Sequence, residues 1–465
     1  ASGTAACVRA QMRPCRTPGR LRERPSRLRA PRARCKTARV SSGAAPNELE
    51  VLWRRRSLLA AIGCLALLTL AGHPSNRGGN TASRLATVES LVHRGTFDIS
   101  ESPFRAETVD YVRLDGRALS SKPPLLPVAA AALYAPLHAL GLDLVEDLWL
   151  VHRVLVFAFG TVPHALLLLA AFLWLRLVSA DPWARGWAVV MLCFGFLGAG
   201  YATTLNNHSV AAASVMGALY FTTKCVRSEV PAPRDLAAAG LLIGLSPTLD
   251  FLTAPLVLGL ASMLLVHAPR AALAWAAPVA LLPIGAHLAA TYGATGSVLP
   301  IYAQNDLYRF EGGYWTAPRD LDALDEPKWL YTFHLLFGHH GLFLLTPILG
   351  YGVWQAVLQI RARDSFWREA LIVLGGLVIV AVAMIVRTPN YGGACVGFRW
   401  VIPFMPPLIL FTVRWLERAR SMWRGGLAVA FAISITTFVN AAIAPWSHSG
   451  VHWLIHQLVD TGAEL

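Results

Sequence analysis

The sequence is short of charge. Only 15% of its 465 residues are Asp, Glu, Lys or Arg, against about 25% in an ordinary globular domain. Two or three soluble domains would fit the length, but the polar surface they need is missing. Cysteine is sparse too. Cys7, Cys15, Cys35, Cys64, Cys193, Cys225 and Cys395 are scattered, odd in number and form no C-x-x-C, which indicates neither a zinc ribbon nor a disulfide framework. No internal repeat is visible, and Asp250 alone among charged residues interrupts the apolar runs. Both absences weigh against a transporter. What is present is apolar residue, 55% of the chain, at a mean hydropathy of +0.48. It falls in continuous runs of roughly 16 to 25 residues, the length that crosses a bilayer. Continuous rather than alternating runs disfavour a barrel. The expected fold is an all-α polytopic membrane protein.

The net charge of +14 is a tail property. Residues 1–56 hold 15 Lys+Arg against 3 Asp+Glu, and residues 57–465 hold 26 against 24. The arginines from Arg20 to Arg34 alternate with prolines and show no apolar period, so 1–56 reads as a disordered, solvated cytoplasmic tail. It is a candidate contact for a membrane-protein partner or anionic lipid; nucleic acid is not an expected partner.

Ser57–Gly72 follows Arg54, Arg55 and Arg56, which orients the first span from inside to outside. Later spans are expected near 148–177, 186–203, 208–223, 235–249, 250–267, 271–291, 337–360, 369–387, 399–415 and 424–444. With 123–140 apolar enough to cross or to dip into the outer leaflet, the total is about 11 to 13. Arginine-rich flanks alternate along the chain. The polar segments 73–122, 203–209, 246–250, 292–336 and 388–399 therefore all fall on the outer, exoplasmic side. The transmembrane domain is expected over 57–445, with long outer loops 73–122 and 292–336. Residues 446–465 read as an interfacial segment, where His448, His452 and His456 share one helical face.

The first outer loop carries the densest pattern. Residues 80–95 read as an amphipathic juxtamembrane helix, capped by Asn80 or Thr81 and ended by Gly95, with Leu85, Val88, Leu91 and Val92 on one face. Ser120-Ser121-Lys122-Pro123-Pro124 then holds Lys122 at the interface, where an ammonium meets a lipid phosphate or simply snorkels. Tyr302, Tyr308, Tyr314 and Trp315, in the second long loop, suit sugar stacking or interfacial anchoring. His334, His339 and His340 close a span; capping and phosphate binding both fit them, and no metal is expected.

Arg84-Leu-Ala-x-Val-Glu-Ser-Leu-Val-x-Arg-Gly-Thr-Phe97, followed by Asp115-Gly-x-x-x-Ser-x-Lys122-Pro-Pro-Leu125, resembles the first loop of the GT-C superfamily of integral membrane glycosyltransferases. These include the aminoarabinose transferases of lipid A and the protein O-mannosyltransferases. Leu205-Asn-Asn-His208, Tyr331-x-Phe-His334 with His339-His340-Gly341, and Asn390-Tyr391-Gly-Gly with Arg399-Trp400 resemble recurring pieces of an uncharacterised bacterial group in that superfamily. The resemblance spans roughly residues 73–405. It implies a GT-C-like bundle in a bacterial inner membrane with its active face periplasmic. It further implies a polyprenyl-phosphate sugar as donor, membrane lipids as partners and no other cofactor.

In that mechanism a loop carboxylate takes a proton from the acceptor, the sugar carbon passes through an oxocarbenium-like state, and cations steady the leaving phosphate. The resemblance assigns Lys122 to the phosphate. Arg84, His208, His339, His340, Tyr391 and Arg399 are the further binding candidates. One departure stands out. Relatives place an acid about three positions before the arginine that matches Arg84, and this chain has Asn80-Thr-Ala-Ser83. An amide takes no proton near neutral pH. Asp98, Asp110 and Glu89 are therefore candidate bases, with Asn80 left to orient an acceptor. The alternative is a non-catalytic glycolipid-binding or structural subunit with the same architecture.

Overall fold

A computed structural model of the chain describes residues 48–448, apart from 319–321, 323–325, 389 and 420. Of the expected disordered tail 1–56, residues 1–47 lie outside the described residues, as do the C-terminal 449–465 with His452 and His456; residues 48–56 are instead helical, where Trp53 packs on Trp183 and Trp187. The described residues all belong to one compact unit.

The unit is a helical bundle. α1 (Glu48–Ala71) leads to the loop helix α2 (Gly79–Arg94). An antiparallel hairpin follows, β1 (Tyr111–Leu114) and β2 (Arg117–Ser120), with Tyr111 opposite Ser120. Next come α3 (Leu125–Ala139), α4 (Leu148–Val178) and α5 (Pro182–Phe194). α6 (Asn207–Val226), α7 (Pro233–Leu249), α8 (Ala254–His267) and α9 (Pro269–Thr295) run back and forth. α10 (Lys328–Leu336), α11 (Ile348–Ala362), α12 (Trp367–Arg387), α13 (Met405–Arg418) and α14 (Ser421–Ile443) complete the bundle.

Five described helices are long and apolar enough to cross a membrane outright, and a sixth span arises if α5 and its continuation Leu197–Thr203, bent by 50°, count as one. Other expected spans are present as helices that are shorter or end in charge, such as α1 with Arg54, Arg55 and Arg56. This is a multi-pass membrane protein. The expected span 337–360 is not one helix. Gly338 and Gly341 turn the chain so tightly that a Cβ on Gly338 would lie 2.3 Å from His334 Nδ1. Pro347 then starts α11 afresh.

The structure also places the apolar segment 123–140. α3 lies along α2 rather than taking the chain to the other end of the bundle. Its last turn meets the last turn of α2, where Tyr134 Oη is 2.9 Å from His93 Nε2. The chain then enters α4 near the end of α1, where Arg153 donates to the Thr69 carbonyl at 3.0 Å. Two prolines before α3 and Pro136 within it suit a short helix that packs beside another, not a full crossing.

Close helix packing follows the small residues. Gly240 and Gly244 on α7 face α9, and a Cβ at either would sit 2.1–2.2 Å from the carbonyl oxygen of Ala276 or Ala280. Glycine four residues apart lets two backbones meet where larger side chains would hold them off. The main core is aromatic and aliphatic, with Trp174 edge-on to both Phe366 and Phe411 at 5.8 and 5.9 Å.

Candidate functional site

α2 begins after Gly78, and no side chain caps it, so neither Asn80 nor Thr81 is the cap expected. Gly95 ends it at φ +64°, as its spacing predicts. Every residue from Thr81 to Ser90 is buried. The polar face of the helix is turned into the protein, and its partners build the site.

Five polar segments converge on this end of the bundle. Thr81 Oγ1 pairs with Thr204 Oγ1 at 2.8 Å. Arg84 donates to the Asn80 carbonyl at 2.7 Å and to Asn80 Oδ1 at 3.2 Å. Its other terminal nitrogen donates to Asn207 Oδ1, whose amide in turn donates to the Leu249 carbonyl at 2.7 Å. Arg84 Nε is buried without a hydrogen-bond partner. His208 Nδ1 is 2.7 Å from Asp250 Oδ2, and its Nε2 is 3.2 Å from Arg399 Nη1. Arg399 also donates to the Gly392 carbonyl at 2.9 Å. Gly392 has φ +86°, and its Cβ position lies 3.1 Å from the Arg399 guanidinium. A side chain there would meet both strain and the arginine.

Lys122 Nζ pairs with Asp110 Oδ1 at 2.8 Å. The Asp110 backbone is pinned from two sides, since its carbonyl accepts from Ser83 Oγ at 2.6 Å and from the Ser121 amide at 3.1 Å. Burial opposes charge on Asp110, yet Lys122, Arg399 and Arg84 together hold its carboxyl below the usual range. Burial outweighs Asp110's attraction at Lys122, and the two arginines add to it, so Lys122 is drawn down to about 8. Burial likewise takes Arg84 to about 10.

The loop after α9 lies over the hairpin. Phe310 packs on Tyr111 at 5.3 Å, and Trp315 Nε1 donates to the Val109 carbonyl at 3.1 Å. Asp322 in this loop accepts from Tyr314 Oη at 2.9 Å. Burial raises its carboxyl, and the charges of Asp110, Arg399 and Lys122 reach it. The crevice beside Lys122, lined by Thr87, Phe97, Pro124 and Ala294 among others, measures about 10 Å³.

Arg84, Asn80, Asp110, Lys122, His208 and Arg399 thus come together. His339, His340 and Tyr391 form an adjoining aromatic cluster in which His340 stacks on Tyr391 at 4.9 Å and His339 on His334 at 4.1 Å. Tyr391 bonds Glu326. Asp98 lies apart. Its carboxylate accepts from the Ser100 and Ala118 amides and shapes the hairpin's edge. Glu89 faces away from the cluster, held by both Arg94 terminal nitrogens at 2.7 and 2.5 Å. Asp322 was not singled out from the sequence. Its only sequence signal is the acidic stretch ending the 292–336 loop.

The crystal structure of apo ArnT from Cupriavidus metallidurans, an aminoarabinose transferase of the GT-C superfamily, matches 81% of this chain at TM-score 0.51 and 15% identity. The chain spans 62% of the length of that ArnT chain. ArnT bound to undecaprenyl phosphate matches at TM-score 0.45 and 14% identity, over 82% of this chain and 62% of that one. The apo oligosaccharyltransferase of Archaeoglobus fulgidus matches at TM-score 0.44 and 13% identity, over 86% and 57%. No family model matches the sequence, and no curated protein does. The fold is GT-C-like.

Proposed function

We propose that the protein is a glycosyltransferase that moves a sugar from a polyprenyl-phosphate donor to an acceptor on the outer face of a bacterial inner membrane, with its N-terminus cytoplasmic. One observation carries the reading. Arg84, Lys122 and Arg399 are gathered, the two arginines buried and Lys122 largely so, against two carboxylates in direct ion-pair or relay contact among the described residues, Asp110 and Asp250. A surplus cation away from water is costly unless an anion completes it. A lipid phosphate is such an anion, and a membrane protein meets it from the side.

In this reading the donor phosphate takes Lys122 Nζ from Asp110, and Arg399 supports the oxygen charge that grows as the glycosidic bond breaks. His208, held by Asp250, fixes the orientation of Arg399. Asn80 accepts from Arg84 and takes no proton. Asp322 is the proposed proton acceptor, because a raised carboxyl holds a proton better near neutral pH than the depressed Asp110.

The second reading, a glycolipid-binding subunit without turnover, is favoured by Asn80 in the place of an acid and by the locked Asp110–Lys122 pair. The test is single-turnover transfer from a mixed polyprenyl-phosphate-sugar pool by protein in nanodiscs. The transferase reading expects transfer that falls about 10²–10³-fold in Lys122→Ala, the scale of removing one charge-stabilising group, and that is lost with donor still bound in Asp322→Asn. Donor binding without turnover by the unaltered protein supports the subunit. Neither binding nor turnover in a folded sample overturns both.

A further inference from the structure

Away from the charged cluster, the last turns of α2 and α3 bring His93, His138 and Asp143 together. One ligand atom from each lies within 4.8 Å of the other two. We propose that these three residues bind a divalent transition metal, zinc by preference, that fastens the loop helix α2 to α3 and to the turn leading into α4.

The chemistry of the donor set fits. Two imidazoles and a carboxylate, with one position open, is a recurrent zinc arrangement. His93 Nε2 is 3.6 Å from Asp143 Oδ2. Ligand atoms about 2.0–2.1 Å from a tetrahedral zinc stand about 3.3 Å apart, so closure at this pair needs only a small movement. The rings of His93 and His138 now stack, with centroids 4.3 Å apart, and each must tilt for its lone pair to converge on the ion.

The supporting groups are the second observation. A ligating histidine commonly turns its other nitrogen to a carboxylate, which orients the ring and strengthens its donation. His93 does so, with Nδ1 3.7 Å from Glu89 Oε1. Glu89 is itself fixed by Arg94, which leaves it unable to swing into the site as a competing ligand. Tyr134 Oη accepts from the Leu144 amide at 2.7 Å and lies 2.9 Å from His93 Nε2 and 3.4 Å from His138 Nδ1. Its O–H therefore occupies the His93 Nε2 lone pair in the metal-free site and must turn to His138 or to solvent when the ion binds. Asp143 Oδ1 accepts from the Val145 amide at 2.7 Å, so its carboxylate is aimed by its own turn. The side chains of His93 and Asp143 are 22% and 32% exposed, which leaves an ion a path from solvent.

The site is structural, not catalytic. It sits at the far end of the helix that carries Arg84, some two and a half turns away at 3.6 residues per turn. It depends on no assumption about the transferase reaction.

The test is zinc binding to the full chain in detergent after chelator treatment, by competition with a chromophoric chelator and by calorimetry. One zinc per chain is expected, with the melting temperature rising on zinc addition. His138→Ala and Asp143→Asn should each weaken zinc binding at least tenfold, in the 10–100-fold range known for disturbed metal sites. Asp143→Asn changes one atom in a partly exposed turn, so it keeps the fold and leaves the zinc-free melting temperature unchanged. His340→Ala, outside the site, should keep the stoichiometry. Cobalt loaded in place of zinc should give tetrahedral visible absorption that vanishes in Asp143→Asn. Zinc binding that survives both ligand variants, or no zinc binding by the folded unaltered protein, overturns the proposal.

Discussion

The two ends of the bundle handle charge in opposite ways. At the end away from α2, the ion pairs are one cation to one acid. Arg185 pairs with Glu50, Lys224 with Asp235 at 2.8 Å, and Arg414 with Glu417 at 2.8 Å. Arg418 faces Asp364 at 3.7 Å with 64% of its side chain exposed. These ion pairs stand alone among the described residues, and each keeps 10% or more of both side chains exposed. At the α2 end, Arg84, Lys122 and Arg399 share their partners across four separate chain segments; Arg84 and Arg399 are buried, and Lys122 is 16% exposed at its side chain. The same residue types therefore do different work. One-to-one pairing beside water is nearly neutral in energy, whereas shared burial leaves a field that an incoming anion can complete.

This contrast predicts a gradient of effects. Arg84→Met should be the most damaging, because it strands the Asn80 carbonyl and Asn207 in the interior. Loss of one partner from a buried charge network costs about 3–5 kcal/mol, and a fall of about 4–6 °C in the melting temperature checks it. A near-normal melt would mean that the cluster is no more strained than the opposite end.

Asp250→Asn should cost less, about 1–3 kcal/mol for a hydrogen bond to a charged group. It should also leave polyprenyl-phosphate binding no weaker, because the cluster gains positive charge. Weaker binding, measured by titration with short-chain lipid phosphate, would show that the hold of Asp250 and His208 on Arg399 outweighs the added charge.

The pH dependence sharpens the comparison. Lys122 is drawn down from its ordinary 10.5 to about 8, so the folded state gives up this proton before the unfolded state does. Its contribution to stability is unfavourable below about pH 8 and is relieved as the pH rises from there toward 10.5. Phosphate binding should do the reverse and weaken as the pH passes about 8. In Lys122→Arg, whose charge persists, that limb should disappear. The smallest effect is expected at the other end. Lys224→Ala should shift stability by no more than about 1 kcal/mol and leave lipid-phosphate binding unchanged. A binding defect there would erase the distinction between the two ends.

Much of this was legible in residue order. Runs of apolar residue and the alternation of arginine flanks predict which segments share an end, and 73–122, 203–209, 246–250, 292–336 and 388–399 do meet. The first-loop motif points to Arg84 and Lys122 and the Asn390–Trp400 piece to Arg399, and these come together. Other features were not legible. The burial of both faces of α2 comes from neighbours distant in sequence, so an amphipathic pattern alone suggests a membrane-surface helix. The pairing of Asp110 with Lys122 depends on the register of a hairpin only four residues long on each side. Asp322 reaches the cluster because its loop folds back over that hairpin, and no local signal marks such a return.

Hydrophobic content and periodicity determined by themselves that this chain is a helical membrane protein, since a bilayer accepts only backbones that satisfy their own hydrogen bonds. They also determined which end is polar, since charge placement is a property of the sequence read in order. Tertiary structure alone decided which charges are shared, which carboxylate is depressed and which raised, and that His93, His138 and Asp143 converge. Those outcomes depend on distances of a few ångströms between residues far apart in the chain, and electrostatic and ligand geometry change steeply over that range.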